Sequence, residues 1–389
     1  MSSPFSLYVH VPFCAQKCPY CDFNTYATAS VPEERYVRAL KCELSHFAQD
    51  SRFAGRSIQS VFFGGGTPSI LSESAIGDVM SHANSLFPII SSAEVTLEAN
   101  PNDCPPARLR GFKAAGVNRI SFGVQSFSDK RLALLGRNHS ADEACQAVSV
   151  AVDSGISNVS IDLIFGVPQQ TVADLEEDLS QAVSLPISHL STYALTIEPG
   201  TPFFQRQERG LLEMPRDSLV AEMLELIPSF LAPHGLLRYE ISNYARPGAE
   251  SVHNSAYWIG DDYLGIGAGA HSYVATRNGD RVELGDRWST FALPESYMTA
   301  AKKGAAISWN ERVGLQALQF EFFYVGLRLM RGVSSSDFAR RFGVPIDVPY
   351  GETIRELVQE GLLVSSDDTL HLTTRGIAIA DSVFEQFVR

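Results

Sequence analysis

Short apolar or β-branched runs recur through the first two hundred residues, at 7–11, 60–63, 94–99, 119–124, 159–165 and 189–196. Between them lie stretches with helical patterning, at 33–48, 72–86, 105–115, 141–154 and 171–184. A strand–helix rhythm of about thirty residues predicts a parallel sheet built from right-handed βαβ units. Six units predict an α/β fold closing into an incomplete barrel, a partial (β/α)6 domain over residues 1–236. From 237 to 294 the pattern changes to Gly- and aromatic-rich segments, RYEISNYARPG, HNSAYW and YLGIGAGAHSY, which read as a connecting segment. Residues 295–389 form a smaller helical region: the apolar helix QALQFEFFYVGLRLM, the shorter ETIRELVQEGLL, a hairpin in LLVSSDDTLHLT and a last helix. Helix, helix and hairpin in that order predict a winged-helix-like module.

The polar and glycine-rich signals fall just after the strands. The Cys loop follows the first, Gly64-Gly65-Gly66-Thr67-Pro68 the second, Glu98 and Asn100 the third, Gln125 the fourth and Asp162 the fifth. Parallel α/β folds bind ligands at the carboxyl ends of their strands, so these motifs converge on one face.

Cys14, Cys18 and Cys21 form a CxxxCxxC triplet in HVPFCAQKCPYCDF. Three thiolates are one short of the four that usually hold an iron–sulfur cubane, which leaves one iron open to a ligand from outside the protein. The residues allow a second reading, a zinc knuckle completed by His10. Alternation along 7–11 instead turns His10 to the face of Tyr8, away from the Cys loop. Cys42, Cys104 and Cys145 are scattered and read as buried or incidental thiols.

Charge narrows the partners. A formal net charge of -13 over 389 residues opposes general binding to nucleic-acid phosphates, despite the winged-helix pattern. The chain has no apolar run long enough for a transmembrane helix, though peripheral membrane contact stays open. The opening MSSPFSLYVH lacks the features of a secretory signal or transit peptide, and clustered thiols suit a reducing compartment, so the expected location is the cytoplasm.

Taken in order, CxxxCxxC, GGGTP, LEANP, SFGVQSF, LGRNH, DLIFGVP and GIGAGAHS resemble the coproporphyrinogen-oxidase-like branch of the radical S-adenosylmethionine (SAM) superfamily, from about residue 6 to the C-terminus. The resemblance implies a 4Fe-4S cluster on Cys14, Cys18 and Cys21, with SAM chelated to the open iron and Tyr8 and Tyr20 flanking both. It places Gly65, Gly66 and Thr67 in a loop whose backbone approaches the methionine part of SAM, and Glu98 on the ammonium or ribose hydroxyls of SAM. Gln125, Arg137 and Asp162 match positions lining the SAM site or a neighbouring substrate site, and Arg137 could grip a carboxylate bidentately.

Two departures shift the implied function. Oxidases of this branch continue as CxxxCxxCxC, whereas Phe23 stands at the last position here; their leader before the first tyrosine is also longer than the seven residues preceding Tyr8. Both features match the heme-chaperone members of the branch, as does His253-Asn254-Ser255-Ala256-Tyr257-Trp258. Imidazole is a good axial ligand for heme iron, and Tyr257 and Trp258 offer flat faces to a macrocycle; His271 in GAGAHS is a second candidate ligand, or faces SAM. The implied protein carries a 4Fe-4S cluster, SAM and heme, and delivers heme to a recipient hemoprotein such as a respiratory enzyme. No residue is assigned a catalytic role. The alternatives are an oxygen-independent coproporphyrinogen III oxidase and a zinc protein with a winged-helix tail.

Overall fold

The computed structural model describes residues 3–389. Six parallel strands follow one another across the sheet in chain order: β1 (Phe5–Val11), β2 (Ile58–Gly65), β3 (Ile89–Ala99), β4 (Arg119–Gln125), β5 (Asn158–Phe165) and β6 (His189–Ala194). Their helices are α1 (Glu33–Phe47), α2 (Glu73–Leu86), α3 (Pro106–Ala114), α4 (Ala141–Asp153), α5 (Val172–Ser184) and α6 (Asp217–Leu231). The expected (β/α)6 pattern is therefore present, with every run falling within two residues of its predicted start except β3, which begins five residues earlier. Phe5, Leu7, Val9 and Val11 are fully buried on one face of β1, while Ser6, Tyr8 and His10 alternate with them on the other, where Ser6 and His10 are buried as well. Reciprocal capping boxes, Ser140 with Glu143 and Thr171 with Asp174, fix where α4 and α5 begin.

The sheet is wider than the six units. β9 (Tyr263–Ile266) lies parallel to β1, and β10 (His271–Asn278), β11 (Arg281–Thr290) and β12 (Ile307–Val313) continue antiparallel beyond it, while β8 (Asn243–Ala245) and β7 (Leu237–Arg238) extend the opposite edge. The segment 237–294, read above as a connection, thus supplies strands to both edges of the twelve-stranded sheet. Residues 307–313, read with the C-terminal region, form its outermost strand. Asn278-Gly279, with Gly279 at φ +62, marks the β10–β11 turn, a hairpin signal legible in the sequence.

The short helix α7 (Val252–Trp258) closes the amino-terminal end of the parallel strands. The Glu94 carboxylate on β3 accepts hydrogen bonds from Ser251 Oγ and from the Val252 and His253 amides, and lies 3.8 Å from the buried Arg119 guanidinium. C-terminal to the sheet, α8 (Leu315–Gly326), α9 (Ser335–Phe342) and α10 (Asp347–Gln359) pack with a three-stranded sheet of order β13 (Val333–Ser334), β15 (Thr369–Leu372), β14 (Leu363–Ser366). This region has its own core around Phe323, Phe338, Tyr350 and Phe387, and follows the helix, helix, hairpin order expected.

Candidate functional site

At the carboxyl ends of the parallel strands lies a cavity of about 370 Å³. Cys14, Cys18, Tyr20 and Cys21 line one side; Gly65, Gly66, Thr67 and Glu98 come from the ends of β2 and β3, and Gln125, Arg137 and Asp162 complete the far wall. Residues spread over 150 positions of sequence thus meet because most of them lie at or near the carboxyl ends of strands of one sheet.

The Cys loop is held from several directions. Thr67 Oγ1 donates to Cys14 Sγ at 3.5 Å and accepts from Asn100 Nδ2 at 3.4 Å. Arg137, far from being a surface arginine, donates through Nη1 to Cys18 Sγ at 3.5 Å and through Nη2 to Asn100 Oδ1 and the Gly123 carbonyl. Its Nε is buried without a partner, a donor with nothing to bond inside the protein. Burial raises the Cys14 and Cys21 thiols above their ordinary range, a penalty that thiolate ligation to iron removes. Among the described residues no three His, Cys, Asp or Glu side chains form a compact single-ion cage. The three thiols stand together along the cavity wall.

The glycines are required by packing as well as by any ligand. Gly65 adopts φ +116, and a Cβ there would sit 2.5 Å from the His10 ring; a Cβ on Gly66 would meet the Phe13 carbonyl at 2.7 Å and Cys14 Sγ at 2.9 Å. Free of side chains, the loop passes close against the cluster-binding segment and its Gly65 amide donates to Glu98 Oε2 at 3.1 Å. Gln125 holds φ +70 at a bulge in β4, a strained position for a residue with a Cβ.

Glu98 and Asp162 are enclosed by protein yet touch the void. Burial, reinforced by the nearby Asp162 charge, pushes Glu98 up to about 8, and burial raises Asp162 as well. Two buried carboxylates that repel each other across a shared cavity favour a cationic guest. The ammonium of SAM is such a group, so the donors, the glycine cradle and the carboxylates fit a cluster with SAM. Ser121 Oγ, which donates to Asp162 Oδ1 at 3.4 Å, and Tyr193 also line the pocket and escaped the sequence reading. Both belong to strand runs whose alternation marked them only as strand residues.

The remaining candidates lie elsewhere. Tyr8 is behind the cavity wall: its hydroxyl meets His10 Nδ1 at 3.0 Å, while His10 Nε2 donates to the Asn24 carbonyl at 3.0 Å. A carbonyl only accepts, so Nε2 carries the proton and Nδ1 accepts from Tyr8. With both nitrogens engaged, His10 completes no zinc knuckle; it braces the Cys loop from beneath. Asn24, another residue the sequence reading missed, ties the same loop to the GAGAHS segment through Nδ2 and the Ala268 carbonyl at 2.9 Å. His271 begins β10 near His10 and is exposed, with no side-chain hydrogen bond among the described residues.

His253 is a correction. It is 1% exposed on α7 at the amino-terminal end of the strands, stacked on Phe62 with ring centroids 5.0 Å apart. Ser60 Oγ is 3.0 Å from Nδ1 and Tyr257 Oη 2.9 Å from Nε2, and burial lowers the imidazole to about 3. Neither nitrogen is open to heme iron in this structure. Tyr257 and Trp258 instead line a second, larger cavity facing the C-terminal region.

Residues 8–182 match the model of the radical SAM superfamily and residues 315–379 that of the HemN C-terminal domain. The heme chaperone HemW of Bacillus subtilis is 36% identical over 385 residues, covering 98% of this chain and 99% of that protein; HemW of Escherichia coli is 36% identical over 387 residues, covering 99% and 98%. The solved structure of E. coli coproporphyrinogen III oxidase (HemN), a radical SAM enzyme, superposes with a TM-score of 0.83 at 24% identity over 99% of this chain and 90% of that one, a likeness of fold alone. Radical SAM membership implies a 4Fe-4S cluster and SAM, which the cavity residues fit, and the end-to-end similarity shows that the chain belongs to the HemW family.

Proposed function

We propose that this protein is a cytoplasmic heme chaperone that holds a 4Fe-4S cluster, SAM and heme, and passes heme to a hemoprotein of the respiratory type. The observation that carries the reading is the match along nearly the whole length of both chains to proteins named heme chaperones. The Cys loop supports it, since Phe23, 65% exposed, stands where the resemblance gives the oxidase a further thiol. Six free cysteines suit a reducing compartment.

Cys14, Cys18 and Cys21 would hold the cluster. Glu98 and Asp162 would receive the ammonium of SAM, and the 65–67 loop would bring backbone groups against its methionine part. A reduced cluster with SAM supplies electron transfer into a sulfonium. The residues of this chain would position and enclose the ligands. The test loads anaerobically reconstituted protein with hemin and mixes it with membranes containing a heme-depleted respiratory enzyme, beside a parallel incubation with coproporphyrinogen, SAM and reductant. Restored oxidase or reductase activity without protoporphyrinogen formation is expected. Decarboxylated product without heme transfer would establish the oxidase reading instead.

A further inference from the structure

A cavity of about 890 Å³ lies between the antiparallel extension of the sheet and the C-terminal region, on the side away from the cluster cavity's strand ends. Its size falls within the range of small-molecule and cofactor sites. Its wall is unusual in composition. A row of neighbours crosses three strands, Tyr263 on β9 facing Tyr273 on β10 and Tyr273 facing Arg287 on β11, while Trp258 from α7 and Phe322 and Tyr324 from α8 supply further aromatic faces. The Tyr263 and Tyr273 hydroxyls form no hydrogen bond among the described residues, and the Trp258 indole N–H is buried without a partner.

Charge completes the description. Four arginines and three carboxylates line the space: Arg277, Arg287, Arg331 and Arg341 against Asp261, Glu321 and Asp337. Arg277, Arg287 and Arg341 are paired, with Asp262, Glu321 and Asp337 respectively, whereas Arg331 is exposed at the cavity and has no ion pair among the described residues. With Asp262 counted beside Arg277 the charges balance, and Arg331 is the guanidinium left uncommitted. Flat apolar faces rimmed by an uncommitted guanidinium are complementary to a planar macrocycle bearing carboxylates.

We infer that this cavity, rather than the His253 pocket, receives heme, with Tyr263 as the axial oxygen donor and Arg331 meeting a propionate. The inference rests on the heme-chaperone reading and gives it a place. Phenolate oxygen is an established type of heme ligand. Burial raises both phenols; the largest charge at Tyr263, Arg287, opposes that rise, whereas the largest at Tyr273, Glu321, adds to it, so Tyr263 suits the role better. The HNSAYW segment then contributes through its last two side chains, and its histidine holds Tyr257 in place from behind.

The test is hemin titration of the full-length protein and of three variants, with SAM binding and far-UV circular dichroism as controls for folding. Val282→Trp fills the cavity from β11 and should weaken hemin binding about tenfold or more. Tyr263→Phe should retain hemin but change the ferric Soret and charge-transfer bands, since the donor atom is lost while the apolar contacts stay. His271→Ala should bind as the parent protein does. Unchanged affinity in a folded Val282→Trp, or an unchanged spectrum in Tyr263→Phe, overturns the assignment; loss of binding in His271→Ala alone moves the site to the cluster face. A parent protein that takes up no hemin defeats the chaperone reading itself.

Discussion

Each thiol of the CxxxCxxC loop has a different support: Cys14 from Thr67, Cys18 from Arg137, and Cys21 from the Thr25 hydroxyl at 3.9 Å. Alanine at any of the three should abolish iron and sulfide retention after anaerobic reconstitution, measured by metal and sulfide analysis, while alanine at Cys42, Cys104 or Cys145 should leave about four irons per chain. Glu98 makes a second prediction at this scale. Its folded value of about 8 exceeds the ordinary 4.5, so the empty folded protein keeps a proton that the unfolded chain releases between those values. Stability of cluster-free protein therefore falls as pH rises through that window, with buried Glu43, raised to about 7, adding to the trend. SAM favours the ionised carboxylate, so its affinity should rise with pH toward about 8. Glu98→Gln should weaken SAM and flatten this dependence, as read by calorimetry in buffers of different ionisation enthalpy.

Among the elements, α7 shows how a motif is legible while its geometry is not. HNSAYW stood out in the sequence, and an imidazole beside aromatics suggested heme iron; the fold instead buries His253 among Ser60, Phe62 and Tyr257 at the far end of the strands. No local pattern reveals that Glu94, over 150 residues earlier, would cap this helix. His253→Ala should accordingly act on stability, costing about 2–4 kcal/mol through a cavity and an unpartnered Tyr257 hydroxyl, with cluster and SAM binding retained; chemical denaturation measures it. The six strands and the first five helices were legible because each strand carries a buried apolar face and α2, α4 and α5 begin at side-chain caps. β7 to β12 fall in stretches read as a connection or as part of the C-terminal region: β7 and β8 are only two and three residues long, and β12, ISWNERV, exposes most of its residues and resembles a loop.

Across the whole molecule, one sheet serves two cavities: the carboxyl ends of its parallel strands surround the cluster and SAM residues, and its antiparallel extension faces the C-terminal region across a larger aromatic space. Ligand convergence on the first was readable from motif order, because the motifs fall at or near the carboxyl ends of successive strands. The second joins residues 257–287 to 318–342 and depends on how two separately patterned regions pack, which periodicity within either does not encode. Hemin titration of anaerobically reconstituted full-length protein, followed in the Soret region, tests this account most directly: saturable uptake of hemin with the cluster and SAM still bound is predicted, and absence of saturable uptake by folded, cluster-loaded protein would contradict it.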